Sequence, residues 1–347
     1  MTEAPGPVDD VADLTPDWLT AALRAEGFDG RVTSVAAERI GHGQMGANFR
    51  LQLDGEGDLP ATLVAKLGAG EDRSIVAGGY RKEVAFYRDV AATVAVRRPR
   101  CHHVSANEDA SVFTLLLADL APAQSGDQLA GCGPAEARQA VENLAALHGP
   151  RWCDPALWDH PELDRVDADG AAFLGDVFGS AVATFVDRYR PDLGEGDDAL
   201  LHEVAEAVPT WVTARPERFA ALHGDYRLDN LLFAEDGVYA VDWQTLGAGH
   251  PGRDLAYLVE TSLEPDVRRE HQDELIDAYA DALRGHGVDP GAVAEDLRFG
   301  TLQGPLITVL GAVHATAERT DRSDAMFLTM LRRSLATIRD LDPLALL

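Results

Sequence analysis

The chain has 347 residues, enough for two lobes or two small domains, and its 46% apolar and 25% charged content is that of a folded chain rather than a disordered one. Acidic residues outnumber basic ones by 58 to 30, for a formal charge of −28. Such a balance argues against binding of nucleic acid or anionic membrane, both of which need a basic footprint. Only two of the basic residues are lysines, Lys66 and Lys82.

Residues 1–12 read as a loose, acidic, Pro-rich leader, unlike a secretory signal. A helix is predicted to start at Thr15, with Pro16 in its first turn, an apolar stripe of Trp18, Leu19, Ala22 and Leu23, and Gly27 as its stop. From Val32 to about Thr114 the pattern is strand-like, with strict alternation over Phe49–Asp54 and a short apolar run over Thr62–Ala65. One helix interrupts it at about 75–95. From Pro134 onward helices dominate, broken by a strand-rich island at 220–245. The expectation is an α+β chain of two lobes with a boundary near 118–121. Cys101, Cys132 and Cys153 are widely spaced and form no C-x-x-C pair, which fits reduced thiols. No apolar run is expected to reach the length of a membrane span. These features together predict a soluble, cytoplasmic protein.

Gly41, Gly43 and Gly46 form G-x-G-x-x-G. A dinucleotide-binding site needs a helix after these glycines, whereas the alternation over Phe49–Asp54 predicts a strand, which argues against a dehydrogenase. The loop then lies in a hairpin, where glycines let backbone close over nucleotide phosphates, or it is a plain Gly-rich turn. A Walker A loop is excluded, because neither lysine follows a glycine or precedes Ser/Thr. Lys66 ends an apolar strand and needs an acidic or phosphate partner. On the next helix Tyr80, Glu83, Val84 and Tyr87 fall at i, i+3, i+4 and i+7, placing Glu83 on or beside the inward stripe. A strand lysine paired with a helix glutamate is the arrangement that holds α- and β-phosphates in kinases; the bland alternative is a surface ion pair. Lys82 is expected to face solvent.

The stretch His223-Gly224-Asp225-Tyr226-Arg227-Leu228-Asp229-Asn230 sets Asp225 and Asn230 at D-x-x-x-x-N spacing. Asp242 follows a short hairpin turning at Glu235-Asp236-Gly237. Phosphoryl transfer needs such a set: an aspartate to orient the acceptor hydroxyl and take its proton, and a carboxamide and a carboxylate for Mg²⁺. Read singly, Asp225 could cap a turn and Asp242 could end a strand.

With these motifs in order, the chain resembles the aminoglycoside phosphotransferase and choline kinase superfamily. The similarity extends through the Leu115–Leu120 hinge, Leu147-His148 and the Gly247–Tyr257 tract. The hinge and the Gly126-Asp127-Gln128 tract look closest to ecdysteroid-kinase-like members. The resemblance implies a protein-kinase-like bilobal fold, with residues 1–118 as a nucleotide-binding lobe and 119–347 as a helical lobe carrying the catalytic loop, metal site and substrate cleft. It further implies Asp225 as catalytic base, Asn230 and Asp242 as Mg²⁺ ligands and Lys66, paired with Glu83, on the phosphates of ATP. Gly41, Gly43 and Gly46 would cover the nucleotide, and the backbone at Leu117, Ala118 and Leu120 would contact adenine. Ala118 stands where a glutamate is expected. The implied function is transfer of the γ-phosphoryl group of ATP to a hydroxyl of a small molecule: an aminoglycoside, an aminosugar, a choline-like or a steroid-like alcohol. A catalytically silent nucleotide-binding interaction module is the alternative. No motif names the acceptor.

Among the remaining signals, His148 reads as a hydrogen-bonded packing residue and Asp254 as the cap of a helix beginning near Leu255 that holds the catalytic loop. His202-Glu203 lacks the second histidine of a zinc hydrolase. The acidic runs at 192–198 and 260–266 read as solvated faces.

Overall fold

Thr15 caps the first helix, α1 (Pro16–Ala25), by accepting a hydrogen bond from the Trp18 amide, with Pro16 in its first turn. Gly27 follows in the left-handed conformation, as the sequence predicts. α1 packs Leu19, Ala22 and Leu23 against Val32, Leu51, Leu63, Ala65 and Leu116 of an antiparallel sheet. That sheet comprises β1 (Arg31–Ile40), β2 (Gly46–Glu56), β3 (Thr62–Gly68), β4 (Cys101–Ala106) and β5 (Phe113–Ala118), in the order β1-β2-β3-β5-β4. Helix α2 (Ala77–Ala85) follows β3 and runs on through a π turn at Phe86–Val90, within the helical span expected at 75–95.

The computed structural model describes residues 4–41, 46–68, 76–163, 165–314 and 319–347. It divides into two compact units: Met1–Ala92 with Arg98–Pro122 and Val241–Leu246, and Thr93–Arg97 with Ala123–Ala240 and Gly247–Leu347. The units are thus not contiguous in sequence. The short segment carrying Asp242 belongs with the sheet, not with the helices.

The second unit begins with β6 (Gln124–Ser125) and α3 (Pro134–His148), then α4 (Ala168–Tyr189) and α5 (Asp197–Thr213). The strand island follows as β7 (Ala220–Leu222), β8 (Leu231–Ala234), β9 (Gly237–Ala240) and β10 (Gly247–Gly249). Strands β6, β8 and β9 form one small antiparallel sheet, while β7 pairs with β10. The chain closes with α6 (Gly252–Ser262), α7 (Pro265–Gly285), α8 (Val293–Gly300), α9 (Gln303–His314) and α10 (Asp321–Leu341). Phe178, Phe185, Leu201, Val208, Trp211 and Leu306 lie in its main helical core.

Three expectations are corrected. Helix α4 is, by length and composition, apolar enough to cross a membrane; its buried face nevertheless packs into the helical core through Phe178, Val182 and Phe185. Glu260 is not on a solvated face but fully buried in α6, where its carboxylate accepts the Gly304 amide at 2.8 Å. Burial pushes its pKa well above the ordinary carboxyl value. Lys82 is half-buried rather than fully solvated.

Helices α6 and α8 cross with their backbones touching. A Cβ at Gly300 would overlap the Gly252 carbonyl, and one at Gly252 would overlap that of Asp296. Gly300→Ala is therefore expected to lower the unfolding free energy by about 3 kcal/mol in a denaturant titration. An unchanged midpoint would contradict this close crossing.

Candidate functional site

In the sheet unit the apolar run of β3 ends on Lys66, whose side chain is 7% exposed. Its ammonium lies 2.9 Å from Glu83 Oε1 and 2.7 Å from Oε2, and 3.1 Å from Asp242 Oδ1. Burial disfavours the charge, but Asp242 and Glu83 outweigh it and hold the Lys66 pKa above its ordinary value. The helix stripe thus places Glu83 inward, as its spacing predicts, and the surface-pair alternative is excluded. Gly46 has a structural reason to be glycine: a Cβ there would sit 3.0 Å from Lys66 Cε. Gly41 takes φ +68° at the end of β1. Gly43 lies outside the described residues. The hairpin reading is right: β1 and β2 pair through Ile40 and Asn48, and a strand, not a helix, follows the glycines.

Asp242 adopts φ +67°, a left-handed conformation that a non-glycine residue holds only when its surroundings enforce it. Trp243 supplies that constraint by stacking on Phe86, with ring centroids 3.4 Å apart and planes at 6°. Gln244 lies against Gly79, where a Cβ would come within 3.4 Å of its Cβ. The Val241–Leu246 segment is in this way docked along α2 and its continuation, with Asp242 on the Lys66 ammonium. Leu117 is buried in β5, and Ala118 and Leu120 are half-buried at its end. The Ala118 amide already donates to the Arg100 carbonyl at 2.8 Å, so any adenine contact at Ala118 must use another atom.

In the helical unit the Asp225 carboxylate is held by three donors. Tyr257 Oη donates to Oδ1 at 2.9 Å, Asn230 Nδ2 to Oδ2 at 2.9 Å, and Arg227 Nε lies 3.2 Å from Oδ1. Asn230 Nδ2 also donates to the Asp225 carbonyl at 2.9 Å, which fixes the amide and leaves Oδ1 as its acceptor. Burial, then the Asp225 charge, pushes the Tyr257 phenol well above its ordinary pKa, so it stays a donor. Beneath the loop, the fully buried Asp254 accepts the amides of His223 at 2.7 Å and Gly224 at 3.0 Å. Burial opposes its charge, but His148 and His223 prevail and hold its pKa below the usual carboxylate value. His148 is the hydrogen-bonded packing residue expected, bridging Asp254 at 3.4 Å and the Tyr279 hydroxyl at 2.6 Å. Asp254 is not the helix cap: α6 starts earlier, after Pro251, and the carboxylate serves the loop rather than its own helix.

Sequence reasoning missed Tyr257 and the loop-tethering role of Gln128. The Gln128 side chain is fully buried, accepts the Leu228 amide at 2.9 Å and donates to the Thr261 carbonyl at 2.8 Å. Tyr257 is three residues after Asp254, so their shared helix face was the available signal. Gln128 left none, because its partners are more than 90 residues away.

The chain belongs to the phosphotransferase enzyme family, which it matches over residues 36–295. Among solved structures it is similar to choline kinase from Cryptosporidium parvum Iowa II, at 10% identity over 90% of this chain and 92% of that one, with a TM-score of 0.58. It is also similar to an aminoglycoside phosphotransferase from Alicyclobacillus acidocaldarius, at 15% identity over 92% and 94% of the two chains, TM-score 0.53. The GDP and kanamycin complex of APH(2″)-IIia matches at 15% identity over 92% and 98%, TM-score 0.54. At such identities the likeness is one of fold. No curated protein matches the chain. The α+β, protein-kinase-like fold expected from the sequence is the fold observed.

The Lys66 pair yields a stability prediction. Glu83→Ala leaves the buried ammonium with Asp242 as its only carboxylate among those described and is expected to cost about 3 kcal/mol, whereas the apolar double variant Lys66→Met/Glu83→Leu recovers most of it. Denaturant unfolding of both proteins checks this; a double variant as unstable as the single one would count against a desolvation origin.

Proposed function

We propose that this phosphotransferase moves the γ-phosphoryl group of ATP to a hydroxyl of a small molecule in the cytoplasm, with Mg²⁺ as its metal. The observation that carries the reading is the Asp225 carboxylate, oriented by Tyr257, Arg227 and Asn230 and kept 22% exposed. A carboxylate so fixed can align an acceptor hydroxyl and take its proton as the P–O bond forms. Lys66, held charged by two carboxylates, is assigned to the phosphates. Gly41, Gly43 and Gly46 are assigned to the loop over them, and the β5 end from Leu117 to Leu120 to adenine.

The donor chemistry fits magnesium. Asn230 offers a carboxamide oxygen whose orientation is already set, and Asp242 offers a carboxylate in an enforced backbone conformation. Both are hard oxygen donors of the kind that Mg²⁺ prefers in combination with phosphate oxygens. When bound, the ion would neutralise phosphate charge. Among the described residues no group of three or more His, Cys, Asp or Glu could hold a metal by itself, which suits an ion held partly by its nucleotide.

Asp225→Ala is expected to lower kcat by about 10²–10⁴-fold while thermal stabilisation by Mg·ATP persists; undiminished turnover would remove Asp225 as the base. Nucleotide stabilisation of the wild type without transfer to any alcohol would favour the silent binding module. Tyr257→Phe should lower kcat about tenfold with the KM for ATP unchanged, since one of the hydrogen bonds fixing the base is lost. Steady-state kinetics separate the two parameters, and a change confined to KM would refute a role in aligning the base.

A further inference from the structure

Most half-buried and buried arginines of the helical unit face a carboxylate; Arg253 and Arg188, the latter donating to the Ala312 carbonyl, do not. Arg218 pairs with Asp296, Arg268 with Asp340, and Arg333 with Glu264. Arg253 has no carboxylate within 4 Å among the described residues; its one hydrogen bond to them runs from Nε to the neutral Gln303 Oε1 at 2.9 Å. Its guanidinium lies over the Trp211 ring, 5.2 Å from the centroid. It occupies the first turn of α6, where the helix dipole makes a positive charge unfavourable. The adjacent Asp254 does not compensate at contact distance, because its oxygens are turned to the loop amides and His148.

This cation is coupled to the base. Gln303, which accepts from Arg253, donates through Nε2 to the Gly224 carbonyl at 3.1 Å, one residue before Asp225. Arg253 also precedes Tyr257 by one helical turn on the same face of α6, with Cβ atoms about 5–6 Å apart, and Tyr257 reaches Asp225. The carboxylates Asp229, Asp127 and Asp296, by contrast, each face an arginine: Asp229 shares Arg227 with Asp225, Asp127 faces Arg322 and Asp296 faces Arg218. A cationic acceptor would compete with those arginines. An anionic one would meet a guanidinium whose terminal nitrogens still lack a protein carboxylate.

We propose that the acceptor is an alcohol that also carries a carboxylate, received by Arg253 beside the Asp225 loop. The inference rests on the phosphotransferase reading above and narrows its substrate class. In the transfer the acceptor oxygen forms the new bond to phosphorus, and the bond from phosphorus to the bridging oxygen of the departing ADP breaks. The hydroxyl proton passes to Asp225. The acceptor carboxylate is unchanged and only anchors the molecule through the planar fork that Arg presents.

The test compares lactate, 3-hydroxybutyrate and 6-hydroxyhexanoate with their amides, and with choline and ethanolamine, as acceptors for Mg·ATP. At least one acid is expected to exceed its amide about tenfold or more in kcat/KM. In Arg253→Gln that ratio should collapse to about one, with the change carried by KM. Amides as good as the acids, or a preference for choline or ethanolamine, would overturn the proposal. The wild-type comparison stands even if the variant does not fold. Binding of the same acids and amides in the presence of Mg·ADP, read by calorimetry, separates this inference from the parent reading. Carboxylate-dependent binding that Arg253→Gln abolishes supports it even where no phosphate moves; absence of such binding in the wild type overturns it whatever the enzyme phosphorylates.

Discussion

The helical unit is organised around one buried carboxylate. Asp254 is fully enclosed, and an ionised group so placed survives only if donors replace the water it has lost. Two of those donors are consecutive amides, of His223 and Gly224, and the third is His148. Satisfying the charge therefore fixes the loop: the amides cannot turn away without leaving Asp254 uncompensated. Gly224 meets the demand at φ +82°, where a side chain would be strained. Asp225 comes next in the chain, so its position follows from a neighbour's desolvation. Tyr257, on the same helix as Asp254, then fixes the direction of the carboxylate.

The sheet unit applies the same logic with the opposite sign. Lys66 is a cation almost without solvent, and it draws Glu83 from α2 and Asp242 from a segment nearly 180 residues away. Glycine at position 46 leaves room for the lysine stem, so one glycine of the loop is explained by packing before any ligand is considered. The left-handed backbone at Asp242 is a local cost that the Trp243–Phe86 stack offsets. Because the stack joins the residue after Asp242 to the end of the helix bearing Glu83, displacement of either element would disturb both carboxylates on Lys66.

Much of this was legible because the relevant signals are local. The capped start of α1, the alternation of β2, the inward spacing of Glu83 and the D-x-x-x-x-N loop are all short-range patterns, and each folds as its pattern dictates. The rest depends on contacts between distant segments. Nothing near Gln128 says that its amide will tether Leu228 and Thr261, and nothing in the 260–266 acidic run marks Glu260 as buried. That glutamate belongs to the buried helix α6, and the run of acids misleads because it crosses into the next element: Glu264 is the N-cap residue of α7 and Asp266 lies in its first turn. Helix α4 failed in the same way. Its apolar content was visible, but the distinction between a span and a core helix lies in which partners cover it.

The basic residues resolve a contrast that composition alone leaves open. Apart from two lysines, the 30 Lys and Arg residues are arginines, 28 in all, and in the helical unit many of those near the loop and terminal helices are committed to carboxylates: Arg227 to Asp225 and Asp229, Arg322 to Asp127, Arg332 and Arg333 to Glu264. A planar fork suits such pairing, since it can satisfy two acceptor oxygens in one plane. At position 66 a lysine sets a compact charge against oxygens of both Glu83 and Asp242. Around the loop Asp225 and Asp229 share Arg227, while Arg253, one turn before Tyr257 on α6, has no carboxylate within 4 Å among the described residues, so the distribution of charge there is set by individual pairings and not by the total.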